Sequence, residues 1–220
     1  MSSWNSKKII KKPIRFPNIS VPIEPQFIPS FHILIATAGK PCLINMLNSL
    51  KNELTENDAI TIVFDGENGL KQSTFSNDWL IGHKSKINII EQTPNLGYWG
   101  HGLRNKYQGI LEPKTTFILN ADDDDVYIQG CFQKLREICL NPNILYIARF
   151  LVRNKNIIIP SQTFKITQDD IGTPCGIIPF NIADKSLWDY RYGGDFNYYN
   201  NLQLQCSKII YLDIIIYIAS

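Results

Sequence analysis

The sequence predicts one α/β domain built on a mainly parallel central sheet flanked by helices, with a mixed second half. Three observations lead there. Short, nearly continuous apolar runs recur along the chain, the form taken by strands buried on both faces. Stretches with apolar residues at helical spacing alternate with them, the order of a parallel sheet joined by crossover helices. The 220 residues, 44% hydrophobic and 19% charged, suffice for one sizeable core and fall short of two independent catalytic domains.

The first thirty residues stand apart. Lys7, Lys8, Lys11, Lys12 and Arg15 crowd there with only Glu24 opposing them, and Pro13, Pro17, Pro22, Pro25 and Pro29 forbid regular helix. Residues 1–30 therefore read as a basic, Pro-rich extended arm, and residues 31–220 as the folded domain. The plain reading of the arm is a solvated tail; the functional one is weak contact with a membrane surface or an anionic polymer.

From Phe31 the elements follow in order. Phe31–Ala36 is a buried strand, and Pro41 suits the first turn of a helix that places Leu43, Met46, Leu47, Leu50 and Leu54 on one face. Ala59–Phe64 is a second strand ending at Asp65-Gly66, Ile87–Ile90 a third and Thr116–Leu119 a fourth. Ile128, Cys131, Phe132, Leu135, Ile138 and Cys139 outline another amphipathic helix, after which Leu145–Phe150 and Ile157–Ile159 turn strand-like. A late helix carries Phe196, Tyr199, Leu202 and Leu204. The most apolar stretch, Ile209–Ala219, is too short to span a bilayer and contains Asp213, so it reads as a buried strand.

Composition narrows the function classes. A net charge of +2 is too small to imply a nucleic-acid partner. Five cysteines without a CxxC pair point away from structural zinc, and no transmembrane segment or signal peptide is evident, so the expected location is cytoplasmic. Gly39-Lys40 lacks the rest of a phosphate loop, since Leu34 and Pro41 occupy its other key positions. No G-x-S-x-G elbow or metal-binding His pair appears.

Asn120-Ala121-Asp122-Asp123-Asp124-Asp125-Val126, directly after the fourth strand, carries the most specific chemistry. Four consecutive carboxylates repel one another unless solvated or neutralised by a cation, and the carboxyl end of a sheet strand is where open α/β sheets bind ligands. All-oxygen donors favour Mg²⁺ or Mn²⁺. An EF-hand loop is excluded because Tyr127 and Gln133 stand where Gly and Glu are needed, which leaves an acidic surface loop as the plain alternative.

Further groups flank this run in order: Thr37-Ala38 closing the first strand, Asp65 closing the second, and Asn95-Leu96-Gly97-Tyr98-Trp99-Gly100-His101-Gly102-Leu103-Arg104-Asn105 after the third. Thr173-Pro174-Cys175-Gly176 and Gly193-Gly194-Asp195 follow later. On these motifs the chain resembles the GT-A glycosyltransferases, with their Rossmann-like fold, especially inverting family 2 and small virus-encoded relatives. The resemblance implies a metal-dependent inverting hexosyltransferase that moves a sugar from a nucleotide diphosphate donor, UDP-linked, to a hydroxyl of a glycan or glycoprotein acceptor. It implies that Thr37, Ala38 and Asp65 hold base and ribose, and that Arg104 donates to phosphate or sugar oxygens. Asp122 approaches ribose or metal, and Asp124 ligates Mn²⁺ or Mg²⁺ across the diphosphate. Asp123 also contributes, and the run leaves room for a register that uses Asp125. Asp195 is the implied catalytic base, while Tyr98 or Trp99 lies against the sugar ring.

Simpler roles stand beside these. Asp65 suits a turn, Asp195 a helix cap and His101 a structural hydrogen bond. At the level of function the alternatives are a nucleotidyltransferase of related fold and a catalytically silent nucleotide-sugar or glycan-binding module.

Overall fold

A computed structural model describes residues 27–66, 82–161 and 165–220, so most of the arm expected over residues 1–30 lies outside the described residues. Among these residues nine strands form one sheet: β1 (Phe31–Thr37), β2 (Ala59–Asp65), β3 (Lys86–Gln92), β4 (Phe117–Asp122), β5 (Val126–Tyr127), β6 (Ile144–Val152), β7 (Ile157–Ile159), β8 (Gly176–Pro179) and β9 (Lys208–Ala219). The helices are α1 (Leu43–Leu50), α2 (His101–Tyr107), α3 (Cys131–Ile138) and α4 (Gly194–Leu202).

The strand order is β3-β2-β1-β4-β8-β6-β9-β5, with β7 paired to β6. β3, β2, β1 and β4 are mutually parallel, whereas β8 runs antiparallel to both β4 and β6. The mainly parallel first half and mixed second half thus match the sequence-based expectation. Every residue of β1 and β2 is buried, which explains why they read as unbroken apolar runs rather than alternating ones.

β1 lies between β2 and β4, so the connections leave it in opposite directions and open a crevice at the carboxyl ends of these strands. Register aligns the crevice: Thr37 pairs with Phe64, next to Asp65, and Ala36 pairs with Asp122. Three chemically prominent positions from β2, β1 and β4 are thereby brought into one row.

Two expected strands differ in extent or burial, and the short β5 and β8 were not expected at all. β4 runs to Asp122, three residues beyond the expected end, so the first aspartate of the acidic run is held in the sheet. β9 is a strand, as expected, but only Leu212, Ile216 and Tyr217 in it are buried. Its neighbour β5 is two residues long, which leaves much of that side of β9 as a sheet edge. Among the described residues no helix is long and apolar enough to cross a membrane.

Candidate active site

The crevice holds a cavity of about 370 Å³ at the carboxyl ends of β1, β2 and β4. Thr37 and Ala38 line it from β1, Asp65 from β2, and Asp122, Asp123 and Asp124 from β4 and the turn after it. Asp125 does not line it. That side chain is buried and accepts a hydrogen bond of 2.9 Å from the Ser220 backbone, and burial pushes its carboxyl up to about 7. Three of the four consecutive aspartates therefore face one chamber and the fourth is turned into the protein.

Each carboxylate has a distinct partner. Asp65 accepts from the backbone N–H groups of Leu96 at 2.7 Å and Gly97 at 2.8 Å, and its own carbonyl accepts from Asn95 Nδ2. It thus staples the loop after β3 to the end of β2, which is more than a turn residue needs to do. Asp123 accepts from Thr37 Oγ1 at 2.6 Å, tying β1 to β4. Asp124 accepts from Lys40 Nζ at 2.9 Å, and the same ammonium stands 3.5 Å from Asp123. That ion pair holds the Lys40 proton well above the ordinary lysine range. Tyr217 braces the β4 end from behind, accepting from the Asp122 N–H at 3.0 Å.

Arg104 comes from α2. Its side chain is fully enclosed, with Nη2 2.5 Å from Asp122 Oδ1, and it donates to the carbonyls of Trp99 at 2.9 Å and Ala121 at 3.3 Å. Its carbon centre lies 5.3 Å from the Trp188 ring, a cation–π contact. Arg104 does not itself line the cavity, whereas Trp99, whose carbonyl it holds, does. Gly97, Tyr98, Trp99 and Gly100 all have positive φ. For the two aromatic residues this is a sparsely populated conformation of a kind that costs about 1–3 kcal/mol each and is found at ligand sites. Tyr98 is stacked on Tyr190 at 4.6 Å, and Trp99 meets Tyr192 edge-on at 6.2 Å.

A second cavity, of about 530 Å³, adjoins the first, and Trp99 and Asp122 line both. Asp195, the second residue of α4, faces it. Asp195 accepts from Thr173 Oγ1 at 2.7 Å and stands in the first turn of α4, where its carboxylate also complements the helix dipole. Burial raises its proton affinity, against the lowering influence of the Thr173 hydroxyl, Arg104 and His101. His101 also faces this chamber. Its Nδ1 lies 2.6 Å from the Asp189 carbonyl, which can only accept, so Nδ1 carries the proton and Nε2 the lone pair. Burial lowers the His101 pKa, which favours the neutral ring, against the raising influence of the Asp189 carbonyl.

α2 sets the relation between the two chambers. Asn105 exchanges two hydrogen bonds with the Trp188 backbone, at 2.7 and 2.9 Å, and Gln108 accepts from the Trp188 indole at 3.1 Å. Trp188 in turn stacks on Tyr198 of α4 at 4.0 Å. The helix that carries Arg104 thus also positions the segment leading to Asp195. The sequence reading gives no site role to Lys40, Tyr217 or Asn105, although Asn105 closes the motif that carries Arg104 and Lys40 is weighed only as part of a phosphate loop. For Asn105 the adjacency to Arg104 was a usable signal; for Lys40 and Tyr217 only long-range proximity assigns a role.

The residues can be tested against a divalent ion. Among the described residues no three His, Cys, Asp or Glu side chains converge into a ready-made cage. Mg²⁺ and Mn²⁺ bound together with substrate phosphates need only one or two carboxylates. Asp122 and Asp124, with side chains 37% and 42% exposed in a shared cavity, meet that lower requirement.

No protein-family model and no curated protein matches the chain by sequence. Solved structures do match by shape. S. aureus TarS (residues 1–349) superposes with a TM-score of 0.69 at 16% identity, covering 87% of this chain and 60% of that one. The same protein in complex with UDP-GlcNAc gives 0.62 at 15% identity over 86% of this chain and 58% of that one. GalNAc-T7 with UDP, GalNAc and Mn²⁺ gives 0.54 at 11% identity over 85% and 44%. This chain therefore spans between 44% and 60% of the length of those chains. At such identities the likeness speaks for architecture alone, and the architecture it establishes is the mixed α/β fold that this chain shares with those structures.

Proposed function

We propose that the chain is a metal-dependent, inverting glycosyltransferase that moves a hexose from a nucleotide diphosphate donor, UDP-linked, to a hydroxyl of a glycan or glycoprotein acceptor. The observation that carries this reading is the pair of adjoining cavities with Asp122 and Trp99 as their common wall. One is acidic and sits at the strand ends where nucleotides bind in open α/β sheets; the other holds a carboxylate of raised proton affinity. Such a pair suits a reaction that joins a charged donor to a neutral acceptor. The UDP-GlcNAc bound by TarS, and the UDP and Mn²⁺ bound by GalNAc-T7, support the choice of donor and ion.

In this reading Thr37, Ala38 and Asp65 border the base and ribose, and Asp65 acts by holding Asn95–Gly97 in place as much as by contact. Arg104 is a positioning residue: it fixes the Asp122 carboxylate and the strained Trp99 backbone from behind. A divalent cation held by Asp122 and Asp124 together with the two phosphates would supply charge neutralisation to the leaving diphosphate. Asp195 accepts the proton of the acceptor hydroxyl as that oxygen bonds to the anomeric carbon. The bond from that carbon to the phosphate oxygen breaks, and its electron pair leaves with the nucleoside diphosphate. Attack from the acceptor chamber, opposite the leaving group, inverts the anomeric centre. A carboxylate whose pKa is raised by burial is a stronger base than an ordinary one, and general-base help is typically worth about 10² to 10⁴ in rate.

Asp195→Asn tests the assignment. Release of UDP from UDP-sugars, with and without acceptor and Mn²⁺, should fall by at least a hundredfold in the variant, while UDP binding stays within about twofold. Unchanged turnover would remove Asp195 from the mechanism. Transfer of a nucleotidyl group, or binding without any turnover in the parent protein, would replace the proposal with one of its alternatives.

A further inference from the structure

The second cavity has a polar end and an apolar end. At the polar end stand Asp195, Thr173 and His101. The apolar end is one face of the β6–β7 hairpin: Phe150 pairs with Ile159 and Val152 with Ile157, and all four residues line the cavity. The intervening pair, Leu151 with Ile158, does not. This is the period-two alternation of a sheet face, so the four side chains form one continuous apolar platform. Ile171 and Phe196 extend it toward Asp195. Its accessible part is Ile157, 45% exposed, with the half-buried Val152 and Ile159, while Phe150 forms the buried floor.

The charges facing the same space limit what can sit on the platform. Lys155 is the one cation lining it among the described residues, against Asp169 and Asp195, while Arg104 offsets the charge of Asp122. A phosphate-bearing or otherwise polyanionic acceptor would meet net repulsion. An extended, fully hydroxylated glycan would cover the platform with groups that it cannot hydrogen-bond.

We infer that the acceptor is a glycoside with an apolar aglycone, aliphatic or aromatic, whose sugar hydroxyl is presented to Asp195 while the aglycone lies on the Phe150–Val152–Ile157–Ile159 platform. This rests on the glycosyltransferase reading for the role of the hydroxyl, and on the cavity alone for the aglycone. Trp99 and Tyr192, which line the same cavity, are placed to cover the sugar between the two ends.

The test measures binding of methyl, butyl, hexyl and phenyl β-glucosides to the full chain by titration calorimetry and saturation-transfer NMR, with UDP and Mn²⁺ binding measured separately. Along the alkyl series affinity should rise about two- to fourfold per methylene, the range for half to full burial of each group. Phenyl β-glucoside outranking the hexyl compound would assign an aromatic aglycone, and the reverse order an aliphatic one. Ile157→Ser, at an exposed position that tolerates a polar residue, should flatten the series with little change in unfolding temperature, and Val152→Ser should flatten it with a modest fall, since Val152 also packs against the core. Equal affinity for methyl and hexyl compounds overturns the inference, and so does a chain-length dependence that persists in both variants, which would mark non-specific partitioning. A chain-length dependence abolished by the variants in a protein that does not bind UDP would sustain the apolar subsite and sink the transferase reading. A flat series with UDP binding intact would do the opposite.

Discussion

Asp122→Asn is the perturbation whose sign separates two views of the acidic run. If Asp122–Asp125 were only a solvated cluster, neutralising one member would relieve repulsion and raise stability. The structure predicts the reverse, because the Asp122 counter-ion is the fully enclosed Arg104, paired at 2.5 Å. Removing one partner of a buried pair leaves an uncompensated charge and typically costs about 3–5 kcal/mol. Two features reduce this. The Asp122 side chain is 37% exposed, so part of its charge is already screened, and Asp195 is close enough for its field to reach Arg104. The expected loss is therefore about 2–4 kcal/mol. For a chain of this size that is roughly a 4–15 °C fall in Tm. Urea and thermal unfolding followed by circular dichroism, without nucleotide or metal, would read it. Arg104→Met in the Asp122→Asn background should recover at least about 1 kcal/mol relative to Asp122→Asn alone, because the orphaned cation is gone. An Asp122→Asn protein as stable as the parent, or more so, would refute the argument that this pair anchors the site.

Other predictions follow from single contacts. His32 is fully buried, its Nε2 2.7 Å from Thr61 Oγ1, and burial lowers its pKa from 6.5 to about 4. The unfolded chain takes up this proton first, so stability should be complete above pH 6.5 and fall by about 3 kcal/mol as pH drops towards 4. His32→Asn should lessen that slope in urea titrations at successive pH values, and an unaltered slope would assign it to other groups. Gly100 has φ +80°, and a Cβ there would lie 2.6 Å from Ala36 Cβ and 3.0 Å from Arg104 Nη1. Gly100→Ala should therefore cost about 2–4 kcal/mol and weaken UDP binding, with calorimetry on the purified variant as the check. Lys40 neutralises the Asp123–Asp124 pair in the absence of a metal. Lys40→Met should tighten Mn²⁺ binding several-fold by electron paramagnetic resonance with stability changed by less than about 1 kcal/mol, since the lysine is half-exposed. Mn²⁺ affinity equal to the parent's would mean that the ion and the lysine do not compete.

The local physics of the chain was enough to specify its parallel half. β1 and β2 are buried along their whole length, so they had to be unbroken apolar runs, and α1 had to show a one-sided stripe because one face alone meets the sheet. The placement of Thr37, Asp65 and Asp122 at strand ends followed from the same patterns, and parallel register then set them side by side. What no local pattern contained were the pairings made by chain closure. β8 is a four-residue strand ending in Pro179, too short to announce itself, yet it joins the two halves of the sheet by pairing with β4 and β6. Arg104 was legible as a candidate anion donor, but tertiary packing aimed it at Asp122 and enclosed it behind Trp99. The run of four aspartates looked uniform in sequence, and the fold made its members different: three face a cavity, and Asp125 is turned towards Ser220. The second cavity arises where α2, α4 and the β6–β7 hairpin meet, elements far apart along the chain. Periodicity reports how one segment divides its faces between protein and water; which distant segment meets that face depends on closing the whole chain, and the chemistry of this site lies at such meetings.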